Sequence, residues 1–270
     1  MDKKIADYLI ENPSLIKPGG QLKKVTIFFA DITGFTSIAE KDSPEKTAKI
    51  LYTILNSFTE VIIRNDGVID KYIGDCIMAF WGAPFNTDRD ETNACRAALQ
   101  CIESLHEINK SFQREGIPEI AIRMGLHSGN AIAGNLGSDR LFDYTVVGDT
   151  VNLASRLESA NKLFKTEVVV SEDTLKNTGG IFFTRELGLT EVKGKTMPIN
   201  IFELISEGKD IHSDKREMVE IFHQGLAFYK EKKWQEAIEL FNKILLKYPE
   251  DGPSEFYKKR CEYLMSNPVL

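Results

Sequence analysis

Two hydrophobic periods alternate along this chain. The run 25–30, Val-Thr-Ile-Phe-Phe-Ala, is short, apolar and β-prone, which predicts a buried strand. From Ser43 the spacing becomes helical. Ile50, Ile54, Phe58 and Val61 share one face, Ser43 reads as the N-cap with Pro44 behind it, and Asn65-Asp66-Gly67 ends the helix after Arg64. The runs 68–73 and 76–81 meet at Gly74-Asp75 and predict a β-hairpin with Ile69 and Ile73 inward. A second helix is expected over 90–114. Residues 120–129 read as a strand, with 131–137 returning antiparallel to it.

Helical spacing resumes over 149–163, through Val151, Leu153, Ala154, Leu157 and Ala160, with Asp149 as the expected cap. A strand at 167–171, a short helix, and a closing pair at 181–194 and 198–205 follow. Strands and helices alternate with hairpins between them, so the fold class is α+β, a sandwich with a mixed sheet. Residues 1–22 read as a leader ending at Pro18-Gly19-Gly20, 23–206 as the main domain, and 207–216 as a polar linker. Residues 217–270 form a helical appendage, with patterns at 217–233 and 234–251 and a third from about Ser254.

Composition narrows the classes. Of 270 residues, 42% are hydrophobic and 27% charged, as in ordinary globular proteins. A net charge of −6 argues against a nucleic-acid binder, which shows a basic face. No run of ~18 apolar residues offers a membrane span, and the N-terminus lacks a signal-peptide core. The four cysteines form no CxxC pair and read as reduced core thiols, so the expected setting is cytoplasmic.

Asp31 and Asp75 each follow an apolar strand. Neighbouring strands lie ~5 Å apart, so two such ends can offer both carboxylates to one cation. Mg²⁺ takes few protein carboxylates and completes its shell with water and phosphates. The alternative is that both aspartates cap turns. The loop Thr33-Gly34-Phe35-Thr36 after Asp31 opens towards a helix; it reads either as a polyphosphate cradle or as an ordinary strand-to-helix connection. Gly194-Lys195-Thr196 lacks the first glycine of a P-loop, since Leu189 stands there, and reads as a β-turn. His127, in a strand pattern, reads as packed rather than as a base.

Four segments then carry a resemblance: "FFADITGFTSIAE", "GVIDKYIGDCIMAFWGAP", "RMGLHSGNAIAGNLGS" and "DYTVVGDTVNLASRLES". In this order they resemble the catalytic domain of class III nucleotide cyclases, over about 22–205. The resemblance implies a ferredoxin-like βαββαβ core with additional strands, active as a head-to-tail dimer. It also implies conversion of ATP to 3′,5′-cyclic AMP and pyrophosphate with two Mg²⁺ or Mn²⁺ per site. Asp31 and Asp75, with Ile32, match the metal-binding positions, and the 33–36 loop lies on the substrate side. Lys71 and Thr145 match the pair that reads the purine, Asn152 the ribose-positioning residue, and Arg156 the transition-state arginine. Asn152 and Arg156 are one helical turn apart and share a face.

In that family one subunit gives the metal aspartates and the other gives the rest. All six residues occur here, so a homodimer is expected to hold two complete sites. Guanylate cyclases tend to carry Glu and Cys where Lys71 and Thr145 stand, so adenine is the expected base. Threonine at 145 resembles the bicarbonate-stimulated subclass. The alternatives are a guanylate cyclase, or a non-catalytic nucleotide-binding regulator that recruits protein partners through the appendage. The Gly-Gly-Asp/Glu-Glu-Phe signature of diguanylate cyclases is absent.

Gly225, Phe228, Ala237, Phe241 and Pro249 match one tetratricopeptide repeat, while Ile221 and Gln224 depart from it. A lone repeat cannot bury its apolar face, so this one must pack on the main domain, on a partner or on further repeats.

Overall fold

The computed structural model describes residues 3–12, 19–138, 140–190, 198–208 and 212–267. The 194–196 turn, the Pro18 end of the leader and part of the linker lie outside these residues.

An eight-stranded sheet organises the chain. It comprises β1 (Gly19–Ile32), β2 (Val68–Ile73), β3 (Cys76–Trp81), β4 (Ile122–Gly137), β5 (Phe142–Val147), β6 (Val168–Ser171), β7 (Phe182–Thr190) and β8 (Ile199–Glu207). The order is β2-β3-β1-β4-β6-β8-β7, with β5 added to β4. Helices α1 (Lys3–Glu11) and α2 (Phe35–Lys41) flank β1. Then come α3 (Pro44–Arg64), α4 (Asp90–Arg114), α5 (Asp149–Phe164) and α6 (Glu172–Leu175), and last α7 (Ser213–Lys230), α8 (Trp234–Lys247) and α9 (Gly252–Ser266). The mixed α+β class expected from the sequence is what the chain adopts.

Local chemistry explains the best-read elements. The Ser43 hydroxyl accepts the Lys46 N–H, and Pro44 needs no such acceptor. Ile50, Ile54, Phe58 and Val61 are all buried, as their spacing requires. They pack with α4 against one sheet face, formed by Phe28, Ala30, Ile77, Ala79, Met124 and Leu126. The opposite face carries Ile27, Phe29, Met78, Phe80, Ala133 and Val146, and there α1 inserts Ile5 and Leu9.

Three expectations are corrected. The strand expected at 25–30 begins at Gly19. Residues 120–137 hold one continuous strand, not a strand and its antiparallel return. The expected reversal between 129 and 131 does not form because β1 pairs along both halves, from Gly19↔Asn135 to Ile32↔Ile122. Gly125 serves close packing: a Cβ there would lie 2.4 Å from the Ala154 carbonyl oxygen of α5. The far half of β4 is instead paired by β5, a strand the apolar pattern missed. The N-cap of α5 is Gly148 rather than Asp149, which is the first residue of the helix, where acidic charge complements the helix dipole.

The C-terminal helices share a core with the sheet. Phe222, Leu226, Phe241 and Tyr257 pack against Leu153, Leu157, Leu187 and Ile201 of α5, β7 and β8. Gly225 lets α7 approach α8, since a Cβ there would stand 2.7 Å from the Phe241 ring.

Candidate active site

The β1 strand ends by placing Asp31 directly opposite Arg123 of β4. The Arg123 guanidinium donates to Asp31 through Nη2 and to Glu158 of α5 through Nε, the latter at 2.8 Å. Burial opposes this charge, but Glu158 and Asp31 outweigh it and raise the Arg123 pKa. The hairpin turn brings Asp75 beside Asp31. Burial raises the Asp75 carboxyl above its usual range and the Asp31 charge adds to this, while the backbone N–H groups of Asp75 and Ile32 pull it back. Two hard, mutually repelling carboxylates suit a divalent cation, which would relieve the repulsion. Ile32 is buried, and what it can offer an ion is its backbone carbonyl. Among the described residues no group of three or more His, Cys, Asp or Glu could hold a metal by itself. An ion here would therefore complete its shell from a triphosphate and water, which is how Mg²⁺ is usually held. Cys76, adjacent to the pair, is no nucleophile: burial, with Asp31, Glu158 and Asp75 adding, pushes its thiol up to about 12.

Thr33, Gly34 and Thr36 are exposed and Phe35 is half-buried. The Thr33 N–H is taken by the Ala121 carbonyl at 2.8 Å. Gly34 stands at φ 70 and ψ 22, a left-handed geometry that lets the chain turn into α2 just after Asp31.

A β-bulge decides where Lys71 points. Ile69 pairs with Ala79 and Lys71 with Met78, leaving Asp70 unpaired between them. Ala79 belongs to the helix-covered face and Met78 to the other, so the extra residue turns Lys71 to the side opposite Ile69. It also turns Ile73, which is 54% exposed rather than inward as its spacing predicts. Asp70 tucks its side chain inward to 0% exposure. It accepts a hydrogen bond of 2.7 Å from the Thr145 hydroxyl and lies 3.8 Å from the Lys71 ammonium. The two expected purine readers are thus brought together around one carboxylate.

The pair Asn152 and Arg156 lies exposed on α5. That helix is fixed on β4 by Asn161, which donates to the Met124 carbonyl at 2.9 Å, and by Thr150, which donates to that of Asn130 at 2.7 Å. The chain gathers the residues into separate groups. Asp31 is opposite Arg123 on β4, whereas Thr145 is opposite Gly134, near the other end of that strand. His127 is buried with Nδ1 2.8 Å from the Ser171 hydroxyl, in accord with a packed role. Sequence reasoning missed Arg123, Glu158 and Asp70. A charged residue inside the apolar run at 122–126 was the available signal for Arg123, and an acid directly before Lys71 the signal for Asp70.

Known proteins resemble this chain in sequence and fold. The family profile for the adenylate and guanylate cyclase catalytic domain matches residues 19–206. Adenylate cyclase 1 of Rhizobium meliloti is 37% identical over 183 residues, covering 68% of this chain and 28% of that protein. A terminal-differentiation specific adenylate cyclase of Dictyostelium discoideum is 32% identical over 93% of this chain and 12% of its own length. This chain thus spans well under a third of either relative. Among solved structures, the adenylyl cyclase CyaB from P. aeruginosa superposes with a TM-score of 0.66 at 32% identity, over 72% of this chain and 100% of that one. The guanylyl cyclase Cya2 gives 0.65 at 29% identity, over 72% and 98%. The chain belongs to the adenylate and guanylate cyclase catalytic domain family.

Proposed function

We propose that this chain is an adenylate cyclase, converting ATP to 3′,5′-cyclic AMP and pyrophosphate at sites shared by two head-to-tail copies. The observation that carries this reading is the pairing of Lys71 with Thr145 around Asp70. A lysine ammonium donates to adenine N1, and a threonine hydroxyl whose hydrogen is taken by Asp70 accepts from the 6-amino group. Guanine presents the reverse at both atoms. The carboxylate pair and the purine pair are anchored towards different ends of β4, which supports one subunit supplying Asp31 and Asp75 and the other supplying Lys71, Thr145, Asn152 and Arg156.

In the reaction the ribose 3′-oxygen bonds to the α-phosphorus as the bond from that phosphorus to pyrophosphate breaks, and the hydroxyl proton is released. Asn152 orients the ribose and Arg156 meets charge growing on the α-phosphoryl oxygens. Divalent ions held by Asp31, Asp75 and the Ile32 carbonyl would lower the hydroxyl pKa and neutralise the triphosphate. The loop Thr33 to Thr36 faces that triphosphate. Bicarbonate stimulation, a tetratricopeptide-like docking role for α7 and α8, and a cytoplasmic setting complete the proposal. Four unbridged thiols support that setting, and among the described residues no helix is long and apolar enough to cross a membrane.

The test is product formation from ATP and from GTP with Mg²⁺ or Mn²⁺, with and without bicarbonate at fixed pH. ATP is expected to give cyclic AMP in preference, and Arg156→Ala to lose ~100-fold or more. Faster turnover of GTP, or an unimpaired Arg156→Ala, overturns the reading. Equal rates with and without bicarbonate remove the bicarbonate element alone.

A further inference from the structure

We propose that Asp70 is a specificity-determining positioning residue: its buried carboxylate fixes the hydrogen-bonding polarity of Thr145 and the position of the Lys71 ammonium, and so selects a 6-amino over a 6-oxo purine nucleotide. This rests on the reading that Lys71 and Thr145 face the base.

A free threonine hydroxyl rotates, donating to a carbonyl or accepting from an amine as required. Alone it cannot tell adenine from hypoxanthine or guanine. Here its hydrogen is committed, because Thr145 Oγ1 donates to Asp70 Oδ2 at 2.7 Å. An ionised carboxylate offers nothing but acceptors, so the lone pairs of Oγ1 are what remain for the base. A 6-amino group can donate to them; a 6-oxo group meets lone pair against lone pair. The other carboxylate oxygen, Oδ1, is buried without a hydrogen-bond partner, and the Lys71 ammonium stands 3.8 Å from it. One carboxylate therefore indexes both readers.

Its seat is built. The bulge between Ile69 and Lys71 removes Asp70 from the β2–β3 ladder and turns its side chain to full burial. A surface aspartate would gain nothing from such a position. Burying a carboxylate carries a desolvation cost that a plain structural contact could avoid with an apolar residue.

The experiment compares kcat/KM for ATP and for ITP, which differs from ATP by a 6-oxo group in place of the amine. Asp70→Ala is expected to lower the ATP-to-ITP ratio by about tenfold, the worth of one such hydrogen bond. Asp70→Asn, closest in shape, guards against a folding defect. Its amide oxygen goes to the Lys71 ammonium, its NH₂ faces Thr145, the hydroxyl hydrogen is turned towards the base, and the ratio falls as well. In a Thr145→Val background, adding Asp70→Ala is expected to leave the ratio within about twofold, since no hydroxyl remains to orient. If a folded Asp70 variant slows both nucleotides by one common factor while Thr145→Val shifts the ratio, Asp70 has no such role and the base-reading assignment survives. If Thr145→Val itself leaves the ratio unchanged, the base is read elsewhere and both ideas fall.

Discussion

Arg123 and Arg185 each join two carboxylates from different elements, yet their surroundings differ. Arg185 of β7 binds Glu203 of β8 at 2.6 Å and Asp251, the residue before α9, at 2.7 Å, with its guanidinium 4.9 Å from the Phe222 ring centroid. Its side chain is 1% exposed, and Asp251 also accepts the Ser254 N–H at the start of α9. Every partner is committed, and the group locks the C-terminal helices onto the sheet. Arg123 also holds two carboxylates, but Asp31 is partly open to solvent and faces Asp75, whose carboxyl it repels. The first cluster is satisfied as it stands. The second keeps carboxylate charge that its own arginine does not settle, and that excess is what a cation-dependent site needs.

The largest effect is expected where the satisfied cluster is broken. Arg185→Met leaves Glu203 and Asp251 without their cation, and removing one partner of a buried pair costs about 3–5 kcal/mol. In a chain of this size that lowers Tm by about 10 °C, read by thermal melting of the full chain. The C-terminal helices should also become the first segment cut in limited proteolysis. A Tm within about 2 °C of the parent would mean that the helices are held by the apolar contacts of Phe222 and Tyr257 alone.

The unsatisfied cluster should respond in the opposite sense. Asp75→Asn removes a carboxylate that burial and Asp31 both penalise, while its amide oxygen can still accept the Ile32 N–H. Turnover of ATP should fall ~100-fold or more. Tm should hold or rise, because an acid whose folded pKa is raised costs stability once pH passes that pKa. A variant that loses activity and Tm together would place Asp75 with Arg185 as a structural charge and erase the contrast between the clusters.

How much of this was legible beforehand differs between the two regions. Period and capping chemistry are local, so α3 with its Ser43-Pro44 start, α4 and the β2–β3 hairpin could be read directly from the chain. Asp31 and Asp75 could be placed at strand ends for the same reason, and the six residues assigned to the site were picked out by motif order. Long-range pairing was not legible. Residues 131–137 were expected to fold back on 120–129, because nothing local reveals that β1 starts early enough to pair with both halves of β4. Arg123 became meaningful once register set it opposite Asp31. The bulge at Asp70 reversed the expected direction of Ile73, since one extra residue inverts a period of two. The joint between sheet and appendage was invisible because Arg185, Glu203 and Asp251 are far apart in sequence.

The smallest expected effect sharpens the contrast through pH. His223 of α7 accepts the Glu186 N–H at Nε2 over 3.0 Å, next to Arg185 and Lys230 and against the Phe222 ring. Burial lowers its pKa from 6.5; Glu186 pulls it back up, while Arg185 and Lys230 push it further down. The folded state thus binds fewer protons than the unfolded one. The stability contributed by neutral His223 is complete above about 6.5 and is lost as pH falls from there through the folded pKa. Tm should therefore decline between about pH 7.5 and pH 5.5, and His223→Gln, whose amide oxygen can still accept the Glu186 N–H, should flatten that slope. Protons would act oppositely on the two regions. Neutralising Asp75 eases the repulsion at the carboxylate pair, whereas charging His223 loosens the helices from the sheet. An unchanged slope in His223→Gln would move the acid sensitivity away from this joint.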